Sequence, residues 1–399
     1  MKRILLKLAL VLCAAVSSAL AQPEIPTVEE PPSGYQSVSE LQVSPDGKLL
    51  VGVVKISRLV EHTNYYAPVE CRLQIWDIAT GEQKWNVVHE EHAHLRLQFS
   101  PDSSRVLLVR SKLGTGKNYR EGAYFGVELR DAATGSLTGL MELEESERVE
   151  WFVFTPDGRR ILGKSSHSQN PGRTASFKVW DALSGKLLQL QKEPLPLESF
   201  SGFSQDGQRV ITRRVQAKNP HEFECALLVH SWPDLQPLHE ISLGKVLAPE
   251  VVFSPDKSLV AILNRPIAGS PTVNEFEVGI WKLESAALQQ LDIPAAGLYR
   301  VDTLAFSPEG HSVIGSGRVD EFGMPTHIEL WFWNARTGEH ERTLKLKDAF
   351  LYRNGGTDLR TALSADGTAF FIATRAATIE LRSLEDGTLI RIFELRSTP

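Results

Sequence analysis

Short apolar runs rich in β-branched residues recur along this chain, each bounded by a turn signal. Lys48-Leu49-Leu50-Val51-Gly52-Val53-Val54 is one, with the composition a buried strand requires. The turn signals repeat as well. An apolar strand ending in Ser-Pro-Asp-Gly or a near relative occurs seven times, at Ser44-Pro45-Asp46-Gly47, Ser100-Pro101-Asp102, Thr155-Pro156-Asp157-Gly158, Ser204-Gln205-Asp206-Gly207, Ser254-Pro255-Asp256, Ser307-Pro308-Glu309-Gly310 and Ser364-Ala365-Asp366-Gly367. Successive copies lie 49 to 57 residues apart. A second motif falls between them in fixed phase. It reads Trp76-Asp77-Ile78-Ala79-Thr80-Gly81, Arg130-Asp131-Ala132-Ala133-Thr134-Gly135 and Trp180-Asp181-Ala182-Leu183-Ser184-Gly185, with eroded copies near Trp232, Trp281, Trp333 and Arg382.

Each motif has a mechanical reading. Pro presets φ for the first central position of a tight turn, Asp tolerates the second, and Gly supplies the left-handed residue. The Trp-Asp-x-x-Thr-Gly copies end a third strand and turn the chain into a fourth. Each unit is then four short antiparallel strands, too small to bury both faces alone. Seven such sheets set radially cover one another. The expectation is an all-β chain, a seven-bladed β-propeller of four-stranded antiparallel blades over residues 37–396. This overrides the two or three domains that 399 residues would otherwise suggest. The phase places Ser37–Val43 innermost in blade 1 and Thr388–Glu394 outermost in blade 7, so every blade is complete within its own repeat and no strand exchange closes the ring.

On these motifs the chain resembles the WD-repeat propellers over essentially its whole length after the N-terminal segment. It departs from that family in one respect. The Gly-His dipeptide before the innermost strand is missing from every repeat, and Gly310-His311 lies in a hairpin instead. The side-chain network anchored by that His is not implied here, so the chain is WD-repeat-like. A narrower resemblance links Asp77-Ile78-Ala79-Thr80-Gly81-Glu82-Gln83-Lys84-Trp85 to the quinoprotein dehydrogenases, whose propellers bind pyrroloquinoline quinone. Their closing Trp recurs from blade to blade, whereas Trp85 stands alone here, with Leu140, Leu190 and Thr343 at the equivalent positions.

Composition changes the picture at the N-terminus. Lys2 and Arg3 precede the apolar stretch Leu8–Val16, and Ala19-Leu20-Ala21 has the small-x-small pattern of a signal-peptidase site. Residues 1–21 are expected to be a cleaved signal peptide and 22–36 a Pro-rich N-terminal segment, making the protein secreted or periplasmic with no transmembrane segment after cleavage. Removing Lys2, Arg3 and Lys7 takes the formal charge from −6 to about −9. An acidic chain without a basic stripe argues against nucleic acid. Cys71 and Cys225 remain, in the first and fourth repeats, too far apart around a ring to bond.

Candidate chemistry is sparse. The turn carboxylates stand one per blade, too far apart for paired acid–base work. Leu113-Gly114-Thr115-Gly116-Lys117 lacks the Ser or Thr a phosphate loop needs after its Lys, since Asn118 follows. His89-Glu90-Glu91-His92-Ala93-His94, expected in the connection between blades 1 and 2, is the densest set of metal-ligand types. Its spacing matches no helical zinc motif, leaving His89, His92 and His94 as weak metal candidates. The connections between second and third strands are expected to be long near 57–70, 111–126, 165–176, 213–222, 264–275 and 317–327. Tyr65, Tyr66, Tyr119, Tyr124 and Phe125 punctuate them. Aromatic residues on adaptable loops over a rigid scaffold suit binding, so this face is the expected interaction surface. The reading is a monomeric, non-enzymatic scaffold without a cofactor, which binds a protein or peptide partner. The alternative is a ligand-binding or enzymatic propeller that uses its central channel, metal-dependent or quinoprotein-like.

Overall fold

The computed structural model describes residues 34–395 except 60–65, 91–92, 113–123, 144–146, 168–175, 192–198, 205–206, 220–221, 245–249, 257, 264–277, 283–286, 294–297, 322–323, 347–359 and 374–377. Its strands form seven four-stranded antiparallel sheets. Blade 1 holds β1 (Gly34–Val43), β2 (Leu49–Leu59), β3 (Tyr66–Asp77) and β4 (Gln83–Glu90). Blade 2 holds β5 (Ala93–Phe99), β6 (Arg105–Lys112), β7 (Tyr124–Asp131) and β8 (Leu137–Leu140). Blade 3 follows with β9 (Glu147–Phe154), β10 (Arg160–His167), β11 (Ser176–Asp181) and β12 (Leu187–Gln191). Blade 4 contains β13 (Ser199–Phe203), β14 (Arg209–Asn219), β15 (Glu222–Ser231) and β16 (Pro237–Gly244). In blade 5 these are β17 (Glu250–Phe253), β18 (Leu259–Leu263), β19 (Val278–Lys282) and β20 (Ala287–Gln290). Blade 6 is β21 (Leu298–Phe306), β22 (Ser312–Glu321), β23 (Met324–Asn334) and β24 (His340–Leu346). Blade 7 is β25 (Thr361–Leu363), β26 (Ala369–Ala373), β27 (Thr378–Ser383) and β28 (Leu389–Glu394).

Among the described residues every sheet is ordered as its strands occur in the chain, so each blade is complete within its own repeat and none borrows a strand. First strands touch one another across blades, β1 meeting both β25 and β5, and β13 meeting β9 and β17. They therefore stand innermost, around the central channel.

The core sits between blades. Alternate residues of one strand point to opposite neighbours: Val106 and Leu108 of β6 pack with Leu49, Val51 and Val53 of blade 1, whereas Leu107 and Val109 pack with Phe154, Ile161 and Trp180 of blade 3. Burial on both faces is why the second strands read as nearly unbroken apolar runs. The same arrangement recurs at each boundary and includes the last, where Leu50, Val54 and Trp76 of blade 1 meet Phe371, Ile379 and Phe393 of blade 7. Trp76 meets Phe393 edge-on at 6.4 Å between ring centres.

Two expectations about connections are corrected. Residues 213–222 and 317–327 are mostly strand, because β14, β15, β22 and β23 run to ten or eleven residues and leave only 220–221 and 322–323 between them. His89 and Glu90 likewise belong to β4, and Ala93 and His94 to β5, so the His-rich run is two strand ends joined by 91–92. Cys71 and Cys225 are both buried free thiols.

Candidate functional site

The seven first hairpins are uniform in length. Five residues separate the first strand from the second in every blade: 44–48, 100–104, 155–159, 204–208, 254–258, 307–311 and 364–368. Within them the motif hydroxyl has a double role. Ser44 donates to Asp46 Oδ1 at 2.6 Å and accepts the Leu49 N–H at 2.9 Å, and the same pair of bonds recurs at Ser100, Thr155, Ser254 and Ser364. The Asp carboxylate accepts a further backbone N–H two residues on, as from Lys48 and Ser104. Hydroxyl donation from Ser100 leads the causes that hold Asp102 down at about 2, and Ser254 and Ser364 do likewise for Asp256 and Asp366, whose pKa values are also lowered. In Asp46 and Asp157 burial is the largest single influence and acts upward, yet hydrogen bonds and neighbouring cations still carry the pKa down. These carboxylates are ionised acceptors committed to turns, with no proton to exchange near neutrality.

Among the described residues, Ser103 holds φ 62 at the usual glycine position in the first hairpin of blade 2, and Leu235 holds φ 54 in the second hairpin of blade 4. Ser103 also reaches its neighbour, because the Asp46 N–H donates to its Oγ at 3.0 Å across the blade boundary. In blades 3, 4, 6 and 7 the turn glycine lies against the preceding blade's Pro. A Cβ on Gly207 would stand 3.3 Å from Pro156 Cγ, and one on Gly310 the same distance from Pro255 Cδ.

The Trp position of the second motif packs each blade on the one before it, through Trp76, Trp180, Trp281 and Trp333. Arg130 and Arg382 occupy it in blades 2 and 7. Each pairs with the Glu two residues earlier on the same strand face: Arg130 Nη2 with Glu128 at 2.7 Å, and Arg382 Nε with Glu380 at 2.6 Å. Each also donates to a turn carbonyl, of Gly135 at 2.7 Å and Gly387 at 2.9 Å. A buried arginine is tolerable here because its fork is filled by a carboxylate and a carbonyl together.

The inner strands are less regular in sequence. Four residues before each motif hydroxyl stand Glu40, Arg96, Trp151, Phe200, Glu250, Thr303 and Arg360, the last just ahead of β25. Glu40 follows a bulge between Val38 and Glu40 in β1. Bulges re-aim side chains. Gln42 donates to the Leu97 carbonyl at 3.0 Å, tying β1 to β5 beside it. Glu40 keeps some solvent contact, but burial dominates its carboxyl and raises the pKa from 4.5 to about 7, opposed by the Leu97 N–H and by Arg96, Arg360 and Lys55. Burial lowers the Lys55 pKa and raises the neighbouring Cys71 thiol to about 11. Between blades 6 and 7, Thr303, Ser316 and Thr361 form a closed set of hydroxyls at 2.5, 2.8 and 2.9 Å beside a cavity of about 30 Å³. The fully buried Asp302 carboxylate meets Arg318 Nε at 3.1 Å.

The residues singled out in the sequence fare unevenly. Tyr66 opens β3, and Tyr124 and Phe125 open β7, all at the strand ends that border the second-to-third-strand connections. Tyr65, Tyr119 and His92 lie outside the described residues. His89 is buried on β4 opposite Cys71, while His94 is on β5 opposite Ser111. Among the described residues no three His, Cys, Asp or Glu side chains gather as a metal site. This row of inner positions was missed, although reading one fixed offset from the motif through all seven repeats finds it.

No protein-family model matches the chain. Over 202 residues, 46% of its length, it is 26% identical to an uncharacterized WD repeat-containing protein of Deinococcus radiodurans, 67% of which is covered. In structure it is similar to hydrazine synthase of Kuenenia stuttgartiensis, with a TM-score of 0.50 over 72% of this chain and 76% of that one. At 15% identity that likeness concerns the fold alone.

Proposed function

Taking the chain as a WD-repeat-like seven-bladed β-propeller, we propose that it is an exported, non-catalytic scaffold that binds a protein or peptide partner through the face carrying its second-to-third-strand connections. The asymmetry between faces carries this reading. On one face all the first hairpins join their strands through five residues, and their motif carboxylates are consumed by local hydrogen bonds where these are described. On the other face the connections vary from two residues (220–221, 322–323) to fourteen (264–277). Turns that repeat in length and chemistry hold a scaffold together, whereas connections that vary between repeats give a surface its individuality. Export rests on the basic start, the apolar stretch and the Ala19-Leu20-Ala21 cut site. Among the described residues no helix is long and apolar enough to cross a membrane.

The test is a pull-down from the native envelope fraction with the mature chain and with a variant carrying Tyr65→Ala, Tyr66→Ala, Tyr119→Ala and Tyr124→Ala. Loss of the specific partner from the variant, with the fold unchanged by far-UV circular dichroism, supports the assignment. Recovery of every partner by the variant overturns it.

A further inference from the structure

We propose that His230 is a proton-sensitive latch between blades 3 and 4, so that acidification loosens this boundary. The inference stands apart from the reading of the loop face.

Register places the imidazole. Leu235 donates its N–H to the Ser231 carbonyl as Gly135 does to that of Asp131, so His230 stands in blade 4 where Trp76, Arg130, Trp180 and Arg382 stand in theirs. Cys225, Leu227 and Val229 of the same strand pack toward blade 5. Strand alternation turns His230 the other way, onto the boundary where Val210 and Leu235 meet Leu162, Phe177 and Val179 of blade 3. The residue is 2% exposed, and neither ring nitrogen makes a well-formed hydrogen bond. The arginines at this position in blades 2 and 7 each have a glutamate two residues earlier, Glu128 and Glu380. In blade 4 that place holds Leu228, buried and apolar. The boundary thus accommodates a neutral imidazole and offers no carboxylate to a charged one.

Burial is the largest influence on the ring and lowers its pKa from 6.5, opposed by the Leu235 backbone. The charged groups on the facing surface of blade 3 are Arg160 and Lys164 of β10 and Asp181 of β11, the last held by Ser184. On blade 4 they are Arg214 and Glu240, which pair with each other, Glu224 further along β15, and Asp234 in the hairpin. None of these is among the influences on the ring. Thr212, fully buried on the same face of β14, brings only an uncharged hydroxyl. Opening the boundary returns the imidazole to water, where it takes up a proton more readily. Opening is therefore favoured as the pH falls through 6.5. The turn carboxylates respond only below about pH 4, which leaves the range above it to His230 at this boundary.

Amide hydrogen exchange of the mature chain at pH 7.5 and 5.0, with times scaled to the intrinsic rates, tests this. In the unaltered chain β11 and β15 are expected to exchange about fivefold or more faster at pH 5.0 on the scaled axis. β27, whose blade carries Arg382 at this position, should change less than about twofold. His230→Leu removes the titrating group from an apolar site, so β11 and β15 should then exchange alike at both pH values. His230→Gln serves the same purpose should the leucine variant not fold. Exchange of the imidazole C2 hydrogen, followed by mass spectrometry, reads the ring in the unaltered chain, and its midpoint should lie below the ordinary 6.5. Persistence of the pH dependence in a folded variant, its absence from the unaltered chain, or an imidazole midpoint at or above 6.5 overturns the proposal.

Discussion

Arg391, on the outer strand of blade 7, donates through Nη1 to the Ile78 carbonyl in the second hairpin of blade 1 at 3.0 Å, and to the adjacent Ala79 carbonyl. The two ends of the chain's ring are joined by this side chain and by the apolar contacts of Trp76 with Phe393, without an exchanged strand. Comparable bonds cross other boundaries, from Trp85 Nε1 to the Ala132 carbonyl at 2.9 Å and from Arg342 to the carbonyls of Leu384 and Glu385. The seam is thus closed by the device the other blades use. Arg391→Ala removes a charged donor from two carbonyls and is expected to cost about 1–3 kcal/mol. Arg391→Lys keeps a point charge but loses the fork, so it should recover part of this. Urea unfolding measures both, and cleavage by limited proteolysis should rise first at the blade 7–blade 1 boundary.

Ser103 offers a test of the blade 1–blade 2 boundary. Its left-handed φ is unfavourable for a residue with a Cβ, but its hydroxyl accepts the Asp46 N–H from the neighbouring blade. Ser103→Gly relieves the strain and loses the bond, two effects of about 1 kcal/mol each that nearly cancel. Ser103→Ala loses the bond and keeps the strain, and should lower stability by about 1 kcal/mol or more. Thermal melting of the two variants side by side distinguishes strain from bonding.

The turn carboxylates predict sensitivity to acid. Asp102, Asp256 and Asp366 titrate below their ordinary value when folded, Asp102 at about 2. Their contribution to stability is therefore complete above an unfolded pKa of about 4 and is lost as the pH falls through the folded values. Stability should drop between pH 4 and 2, and Asp102→Asn should show a shallower drop. Urea midpoints at pH 6, 4, 3 and 2 give the slope.

Glu40 acts in the opposite sense. Its folded pKa of about 7 lies above the ordinary 4.5, so its contribution is complete below 4.5 and is lost as the pH rises through 7. Glu40→Gln should be more stable than the unaltered chain at pH 8, by about 1–3 kcal/mol, and nearly equal to it at pH 4. Equal stability at both pH values would show that the carboxyl is well solvated.

The blades were legible because their punctuation is local. A turn needing Pro, Asp and Gly at fixed offsets writes itself into each repeat, and so does a second strand covered on both faces. Strand length was legible only where burial enforces it. Arg213-Arg214-Val215-Gln216-Ala217-Lys218-Asn219 reads as loop, yet β14 runs through it, because a hairpin paired along its backbone to β15 needs no apolar cover beyond the blade edge. The two arginines at the Trp position could have been paired with Glu128 and Glu380 from strand periodicity alone, since residues two apart share a face. A fixed offset from the motif finds Arg360, Glu40 and Arg96 as equivalent positions, but only ring closure brings Arg360 to Glu40, 320 positions away in number, so their interaction was not legible.

The central claim is that the regular hairpins build the scaffold and the variable face does the binding. The most direct measurement compares partners recovered from the native envelope fraction by two folded variants. In one, residues 113–123 and 264–277 are replaced by short Gly-Ser turns. In the other, the opposite face carries Lys48→Glu and Lys186→Glu. The account predicts that the first variant loses the partner and the second keeps it. Retention by the first with loss from the second would contradict it.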